Sequence, residues 1–449
     1  MLNLLKILCV LIFLNQTNAQ VKLNRTNIAA LCVCYPPDVT EINFSYKNIV
    51  SIDSITFNGL TSLKSLILYG NRLTSLSSAV FSGLSSLSRL DLDGNQLTEL
   101  DPTIFKGLNS INTLYLNGNQ LIELDSSIFK GLTRLATLYL QDNNFTKLYS
   151  GTFSNLTSLS YLDVNGNQLS ELDPDIFKGL IRLATLNLQA NNLTRLYSGT
   201  FNNLTSLNYL DLSSNRLSEL DPEIFNGLTQ LATLNLQAND LTKLYSGTFN
   251  NLTSLNYLDL SSNQLSELDP EIFNGLTRLG KLYLYNNRIT RIDPVTFKGL
   301  NFLNELHLHN NKIQELSLSK KHQKSRNTKI FNGLSSLQIL GLQNNRISHL
   351  DSTIFQDLTS LRDLRLQANR INGIETELFR TLYNITSINL ESNEIAFFNR
   401  NSLVGLTRLA RICLNDNPIS NTFPSLLSSI CRTSPFCQVY ISTKCTNYY

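Results

Sequence analysis

The chain has 449 residues, enough for several ordinary domains, yet only 16% of them are charged, against roughly 25% in an average soluble domain. Its net charge of +3, or +2 once a leader carrying Lys6 is removed, is too balanced to indicate nucleic acid as a partner. Leu and Asn are frequent, and the reason lies in the order of the residues rather than their totals.

The first segment, "MLNLLKILCVLIFLNQTNAQ", has a short apolar run from Ile7 to Leu14, then a polar stretch ending in the small residue Ala19. That is the layout of a secretory signal over residues 1–19, and the run is shorter than the roughly 20 apolar residues a membrane span needs. A second apolar run is absent, and the tail "STKCTNYY" lacks a hydrophobic GPI-type end. The expected product is exported to the extracellular space or matrix with no transmembrane segment. Cys9 leaves with the signal. The other cysteines sit near the two ends: Cys32 and Cys34, then Cys413, Cys431, Cys437 and Cys445. An even number in an exported chain reads as disulfides, and four C-terminal cysteines allow three connectivities.

From residue 39 to 416 the sequence repeats every 24 residues, as in "LNYLDLSSNQLSELDPEIFNGLTR" from Leu255 to Arg278. Units start at Val39, Leu63, Leu87 and onward to Leu303, then resume after a ten-residue insertion at Leu337, Leu361, Ile385 and Leu409, sixteen in all. In "YLDL" apolar residues alternate with polar ones, so a short strand turns its Leu inward and its other side chains outward. One unit cannot bury its Leu face alone, so units must stack with their strands in one parallel sheet. The recurrent Asn (Asn71, Asn95, Asn119, onward to Asn417) carries an amide that can donate and accept where the chain leaves the strand. Phe57, Phe81, Phe105 and their equivalents to Phe379 form a second buried column, with Leu403 in its place near the end.

This unit, L-x-x-L-x-L-x-x-N-x-L-x-x-L-x-x-x-x-F-x-x-L-x-x, resembles the extracellular 24-residue class of leucine-rich repeats found in Slit proteins, Toll-like receptor ectodomains, variable lymphocyte receptors and small leucine-rich proteoglycans. The resemblance implies an α/β solenoid, a curved horseshoe with a parallel concave sheet, about 16 repeats and disulfide-containing caps at 20–38 and 417–449. Cys32-x-Cys34 matches only the centre of the family's N-terminal cap, and Phe44 stands where a later Cys is expected. "NDNPIS" keeps the Asn-Pro that opens the C-terminal cap, but the usual C-x-C after it is missing. The ends are about 70 Å apart at roughly 4.8 Å per strand, so disulfides across the molecule are not expected.

Catalytic signatures are missing, so neither an enzyme nor a cofactor is expected. In "ELHLH", Glu305, His307 and His309 share the outward face about 6–7 Å apart. Two His and a carboxylate can hold zinc, but residues two apart on a flat strand converge poorly, so an ordinary recognition surface is the expectation and no metal is assigned. The outward strand positions supply the rest of that surface. They include Tyr209 with Asp211, Tyr257 with Asp259, then Tyr283, Tyr285, Asp363 and Arg365, a clustering of aromatic and Arg residues of the kind binding hot spots use. Segments 181–228 and 229–276 differ at only five positions, the mark of a duplicated 48-residue pair, whereas the later strands are diverse.

Sequons fall at Asn24, Asn43, Asn144, Asn155, Asn192, Asn203, Asn251 and Asn384. From the second unit to the fourteenth none occupies an outward strand position, which leaves that face open for a ligand. The insertion carries Lys320, Lys321, Lys324, Arg326 and Lys329, a basic run resembling glycosaminoglycan-binding segments. The primary expectation is a secreted interaction protein whose concave face recognises a protein or glycan ligand. The alternative is a structural matrix component held to acidic glycosaminoglycans by the loop 320–329. Nucleic acid is not expected as a partner.

Overall fold

The computed structural model describes residues 20–25, 28, 39–316, 329–419 and 438–440. They fall into two compact units, one running to residue 216 with 226–228, the other comprising 217–225 and the residues from 229 onward.

The first unit contains β1 (Val21–Leu23), β2 (Glu41–Asn43), β3 (Ile49–Ile52), β4 (Ser65–Ile67), β5 (Arg89–Asp91), β6 (Thr113–Tyr115), β7 (Thr137–Tyr139), β8 (Tyr161–Asp163), β9 (Thr185–Asn187) and β10 (Tyr209–Asp211). From β4 each strand pairs with the next, parallel and in register, so that Leu66, Leu90, Leu114 and Leu138 form one buried row. β2 joins the start of this sheet through Ile42 opposite Leu66, while β1 pairs separately with β3. The second unit contains β11 (Thr233–Asn235), β12 (Tyr257–Asp259), β13 (Lys281–Tyr283), β14 (Glu305–His307), β15 (Ile339–Gly341), β16 (Asp363–Arg365), β17 (Gly373–Ile374), β18 (Ser387–Asn389), β19 (Phe397–Phe398), β20 (Arg411–Cys413) and β21 (Gln438–Tyr440). The insertion leaves its ladder intact: Leu306 still faces Leu340, and Phe297 stacks on Phe331 at 6.5 Å.

Helix is nearly absent among the described residues. The outer arcs are turns, apart from a 3-10 segment at Arg400–Leu403, so the expected α/β solenoid is built with almost no α-helix. Bending still follows from the two columns. Adjacent strands lie about 4.8 Å apart, whereas consecutive Phe rings lie 6.1 to 6.5 Å apart in both units. Within each unit the sheet side is therefore the shorter arc.

The Asn column does the work its chemistry suggests. Asn95 Nδ2 donates to Leu68 O and Leu92 O, and its Oδ1 accepts from Leu73 N, so one amide ties its own turn to the preceding repeat. Asn263 repeats the pattern in the second unit with Leu236 O, Leu260 O and Leu241 N. The residue before each Asn has a left-handed backbone. Early repeats place Gly there, at φ 62° to 67°, but Ala190, Ala238 and Ala368 occupy it at φ 51° to 54°.

Candidate recognition site on the outward sheet face

In the second unit, in-register strands put equivalent side chains one strand apart, close enough for rings to stack. Tyr283 on β13 and His307 on β14 lie 4.9 Å apart at 17°. Just past the strand ends, Tyr285 and His309 lie 4.5 Å apart at 5°. The two stacks meet edge to face, at 6.3 Å between the tyrosines and 5.9 Å between the imidazoles. Tyr257 on β12 extends the first stack with a tilted contact at 5.2 Å, and Gln237 Nε2 donates to Tyr285 Oη at 3.3 Å.

The charges of this face are paired within it. Lys281 Nζ lies 2.9 Å from Glu305 Oε1, Tyr283 Oη donates to Glu305 Oε2 at 2.9 Å, and His307 Nε2 is 3.5 Å from the same oxygen. Burial works against ionising Glu305, but the Lys281 and Tyr283 hydrogen bonds and the nearby positive charge outweigh it and hold the carboxyl below its usual range. Burial and then Glu305 raise Tyr283 well above an ordinary phenol. Burial also lowers His307, against the pull of Glu305, and takes His309 down to about 4 with help from His307 and Arg365. Both imidazoles are therefore neutral at pH 7. On β16, Arg365 Nε donates to Asp363 Oδ2 at 2.8 Å.

The structure thus brings Tyr283, Tyr285, Glu305, His307 and His309 into one cluster, with Asp363 and Arg365 two strands away across β15. The Tyr–Asp pairs are closed on themselves. Tyr209 donates to Asp211 Oδ2 at 3.0 Å, and Ser213 closes the other oxygen at 2.6 Å. Tyr257, Asp259 and Ser261 repeat the arrangement. Asp211 and Asp259 are 5% and 4% exposed, so these carboxylates are committed to strand-exit geometry and offer little to a ligand.

Lys329 is half-buried and donates to Gln356 Oε1 at 2.6 Å, tying the end of the insertion to the next repeat. Lys320, Lys321, Lys324 and Arg326 lie outside the described residues. Asn43, Asn144, Asn155, Asn203 and Asn251 are exposed, while Asn24 and Asn192 are half-buried. Asn384 is half-buried too, and its Nδ2, the atom a glycan would take, donates to Thr359 O at 2.8 Å. Cys413 is buried and disulfide-bonded. Cys32, Cys34, Cys431, Cys437 and Cys445 fall outside the described residues, as do residues 1–19. No described helix is long and apolar enough to cross a membrane.

Sequence reasoning missed a second ladder, in the first unit. Arg89 lies 4.8 Å over the Tyr115 ring, Tyr115 stacks on Tyr139 at 4.6 Å, and Tyr139 contacts Tyr161 at 5.1 Å. The signal was there: "LYL" recurs 24 residues apart at 114–116 and 138–140, which places two tyrosines on adjacent strands.

The profile of the leucine rich repeat matches overlapping segments from 37–97 through 359–419, one of which, 312–371, spans the insertion. The chain belongs to the leucine-rich-repeat family. Among solved structures, this leucine-rich-repeat chain is similar to a leucine-rich-repeat protein of Leptospira interrogans, 27% identical with TM-score 0.73, covering 94% of this chain and 100% of that one. It is also similar to Drosophila Toll in the Toll–Spatzle complex, 22% identical with TM-score 0.71, over 89% of this chain and 60% of that one. The plant peptide hormone receptor RGFR1 in complex with RGF2 gives 23% identity and TM-score 0.68, over 95% of this chain and 65% of that one. The chain spans less than two thirds of either receptor chain, and at these identities the likeness to them is one of fold. No curated protein sequence matches.

Proposed function

We propose that this leucine-rich-repeat chain is a secreted recognition protein that binds a protein or glycan ligand on the outward sheet face of its second unit. The observation that carries the reading is the cluster of Tyr283, Tyr285, His307 and His309, four half-buried rings held rigid by mutual stacking. Rings that are already immobilised lose little further entropy on binding, and Tyr is enriched where binding energy concentrates. Lys281 with Glu305 and Arg365 with Asp363 are paired internally, so the face presents hydroxyl and imidazole edges rather than a field of one sign. That suits a polypeptide or neutral sugar better than a nucleic acid. Solved structures of the same fold include Toll with Spatzle and RGFR1 with RGF2. The reading includes removal of residues 1–19, glycans away from the ligand face, and disulfide-containing caps at 20–38 and 417–449.

A second reading, a matrix component bound to acidic glycosaminoglycans, rests on the five basic residues of 320–329. One experiment separates the two. Mature protein, a variant lacking 319–328, and a variant with Tyr283, Tyr285, His307 and His309 replaced by Ala are used as baits on extracellular material at increasing salt. Loss of a discrete, salt-resistant partner from the sheet-face variant alone supports recognition by the face. Loss of salt-labile partners from the loop variant alone transfers the function to the loop.

A further inference from the structure

β15 breaks the row of outward side chains with Gly341, directly beside the two imidazoles. A methyl carbon on Gly341 would lie 3.3 Å from His307 Nδ1, 3.6 Å from His309 Nδ1 and 3.2 Å from Gln343 Oε1. Two imidazole nitrogens and an amide oxygen therefore converge on one point, and the missing side chain is what lets them approach it. His309 Nδ1 and Gln343 Oε1 are buried atoms with no hydrogen-bond partner among the described residues. Such atoms leave a lone pair aimed at nothing, which costs free energy unless something occupies the space.

The other side of the cluster fits the same purpose. His307 Nε2 lies 3.5 Å from Glu305 Oε2, and a carboxylate there favours the proton on Nε2, with Nδ1 then free as the metal donor. Carboxylate to imidazole to metal is the usual outer arrangement around a metal-bound histidine. Tyr283 and Tyr285 lock the two imidazole planes from behind through stacking. This is not the Glu305, His307, His309 set weighed from the sequence. Glu305 is occupied by Lys281 and Tyr283 and supports His307 from outside, and among the described residues no three His, Cys, Asp or Glu gather at one point. The third donor is the Gln343 amide, one strand further on.

We propose that His307 Nδ1, His309 Nδ1 and Gln343 Oε1 bind one divalent transition-metal ion above Gly341, of the imidazole-preferring kind: Zn2+, Ni2+ or Cu2+. Binding requires the nitrogens to close on the ion to the metal–nitrogen distance of about 2.0–2.1 Å. Imidazole donors select these ions over Ca2+ and Mg2+, which take oxygen ligands. The inference stands apart from the ligand reading above, because it is tested with the metal alone.

The test is titration of the mature, disulfide-intact chain with Zn2+ by calorimetry and with Cu2+ by electron paramagnetic resonance at pH 7. The chain has four histidines, and His349 serves as the control. Wild type and His349→Gln are expected to bind one ion, with nitrogen splitting from two imidazoles. His309→Phe keeps a ring on Tyr285 but removes the donor, and is expected to lose the second nitrogen and weaken binding at least 10-fold. Glu305→Gln, which leaves both donors in place, is expected to weaken it about 10–100-fold. Gly341→Ala puts a carbon where the donors converge and weakens binding without touching a ligand. Absence of saturable binding in the wild type overturns the proposal, as does one-to-one binding left unchanged by His309→Phe or weakened equally by His349→Gln.

Discussion

Ala190, Ala238 and Ala368 sit at φ 51°, 53° and 54°, each donating its N–H to the next repeat: to Ser213 O, Ser261 O and Glu391 O. The hydrogen bond holds the backbone in a region where a Cβ crowds the following carbonyl, at a cost of roughly 1–2 kcal/mol per residue. Replacement by Gly removes that crowding and keeps the N–H. Against it stands the extra unfolded-state freedom of Gly, about 0.4–1 kcal/mol. The net is a gain of about 0.5–1 kcal/mol per site. The three sites share no partner, so Ala190→Gly, Ala238→Gly and Ala368→Gly together should add about 2 kcal/mol. With about 2.1 cal/mol/K of unfolding entropy per residue, a chain of 449 residues shifts its Tm by only about 2 °C for that gain, so the denaturant midpoint is the better readout. Ala232→Gly, outside the positive-φ set, should do the opposite and cost about 0.5–1 kcal/mol. A triple variant no more stable than wild type, or an Ala232→Gly variant that gains like the others, refutes the reasoning.

Asn239 Oδ1 accepts from Leu217 N and its Nδ2 donates to Leu236 O, so Asn239→Ala leaves buried backbone groups unmatched and should cost roughly 1–3 kcal/mol by chemical denaturation. Removal of 319–328 restores the regular spacing and should leave the melting curve within about 1 kcal/mol of wild type, because Leu306 already faces Leu340 and Phe297 already meets Phe331. His309 is held at about 4 against an ordinary 6.5, so between those values the unfolded chain binds the extra proton. Stability from this site is complete above about pH 6.5 and is lost as the pH falls toward 4, with His307 shifted in the same direction. Glu305, Asp363 and Arg365 are the charged groups the imidazoles sense, and histidine proton NMR of the folded chain should show His309 neutral at pH 6 and His307 titrating below its ordinary range. A His309 midpoint near 6.5 contradicts the burial argument.

The repeat was legible because each of its columns has a separate physical cause. Leu at alternating strand positions, Asn at the exit and Phe on the outer arc each demand a neighbour 24 residues away, so register follows from spacing alone. The near absence of helix among the described residues was not legible. A segment such as "LDPEIFNGLTR" carries turn and helix signals together, and the structure resolves it into turns closed by bonds such as Ile272 N to Asp269 O and Leu276 N to Phe273 O. The site was half legible. Alternation placed Tyr283, His307 and His309 on one face, but it could not say which nitrogen of His307 Glu305 would face, nor that Gly341, silent as a sequence letter, would set how closely the donors approach.

The same reasoning says why the cluster lies where it does. In the copied block each outward Asp is closed by its own strand and the residue two further on: Tyr209 and Ser213 around Asp211, Tyr257 and Ser261 around Asp259. Copying a self-satisfied unit adds length and commits those carboxylates to their own strand. Past Leu279 the third outward position changes from Asp to Tyr283, His307, Gly341 and Arg365, and the fourth from Ser to Tyr285, His309, Gln343 and Gln367. Arg365 still closes on Asp363 within its own strand, but the tyrosine and histidine rings reach across strands. Tyr283 takes the next strand's Glu305, Tyr285 takes the next strand's His309, and where β15 offers only a glycine the chain of contacts stops with donors still open. Side-chain oxygens at Asn117, Gln141 and Gln367 are also unpartnered among the described residues, so what distinguishes this part of the sheet is that two imidazole nitrogens and an amide oxygen gather beside one glycine.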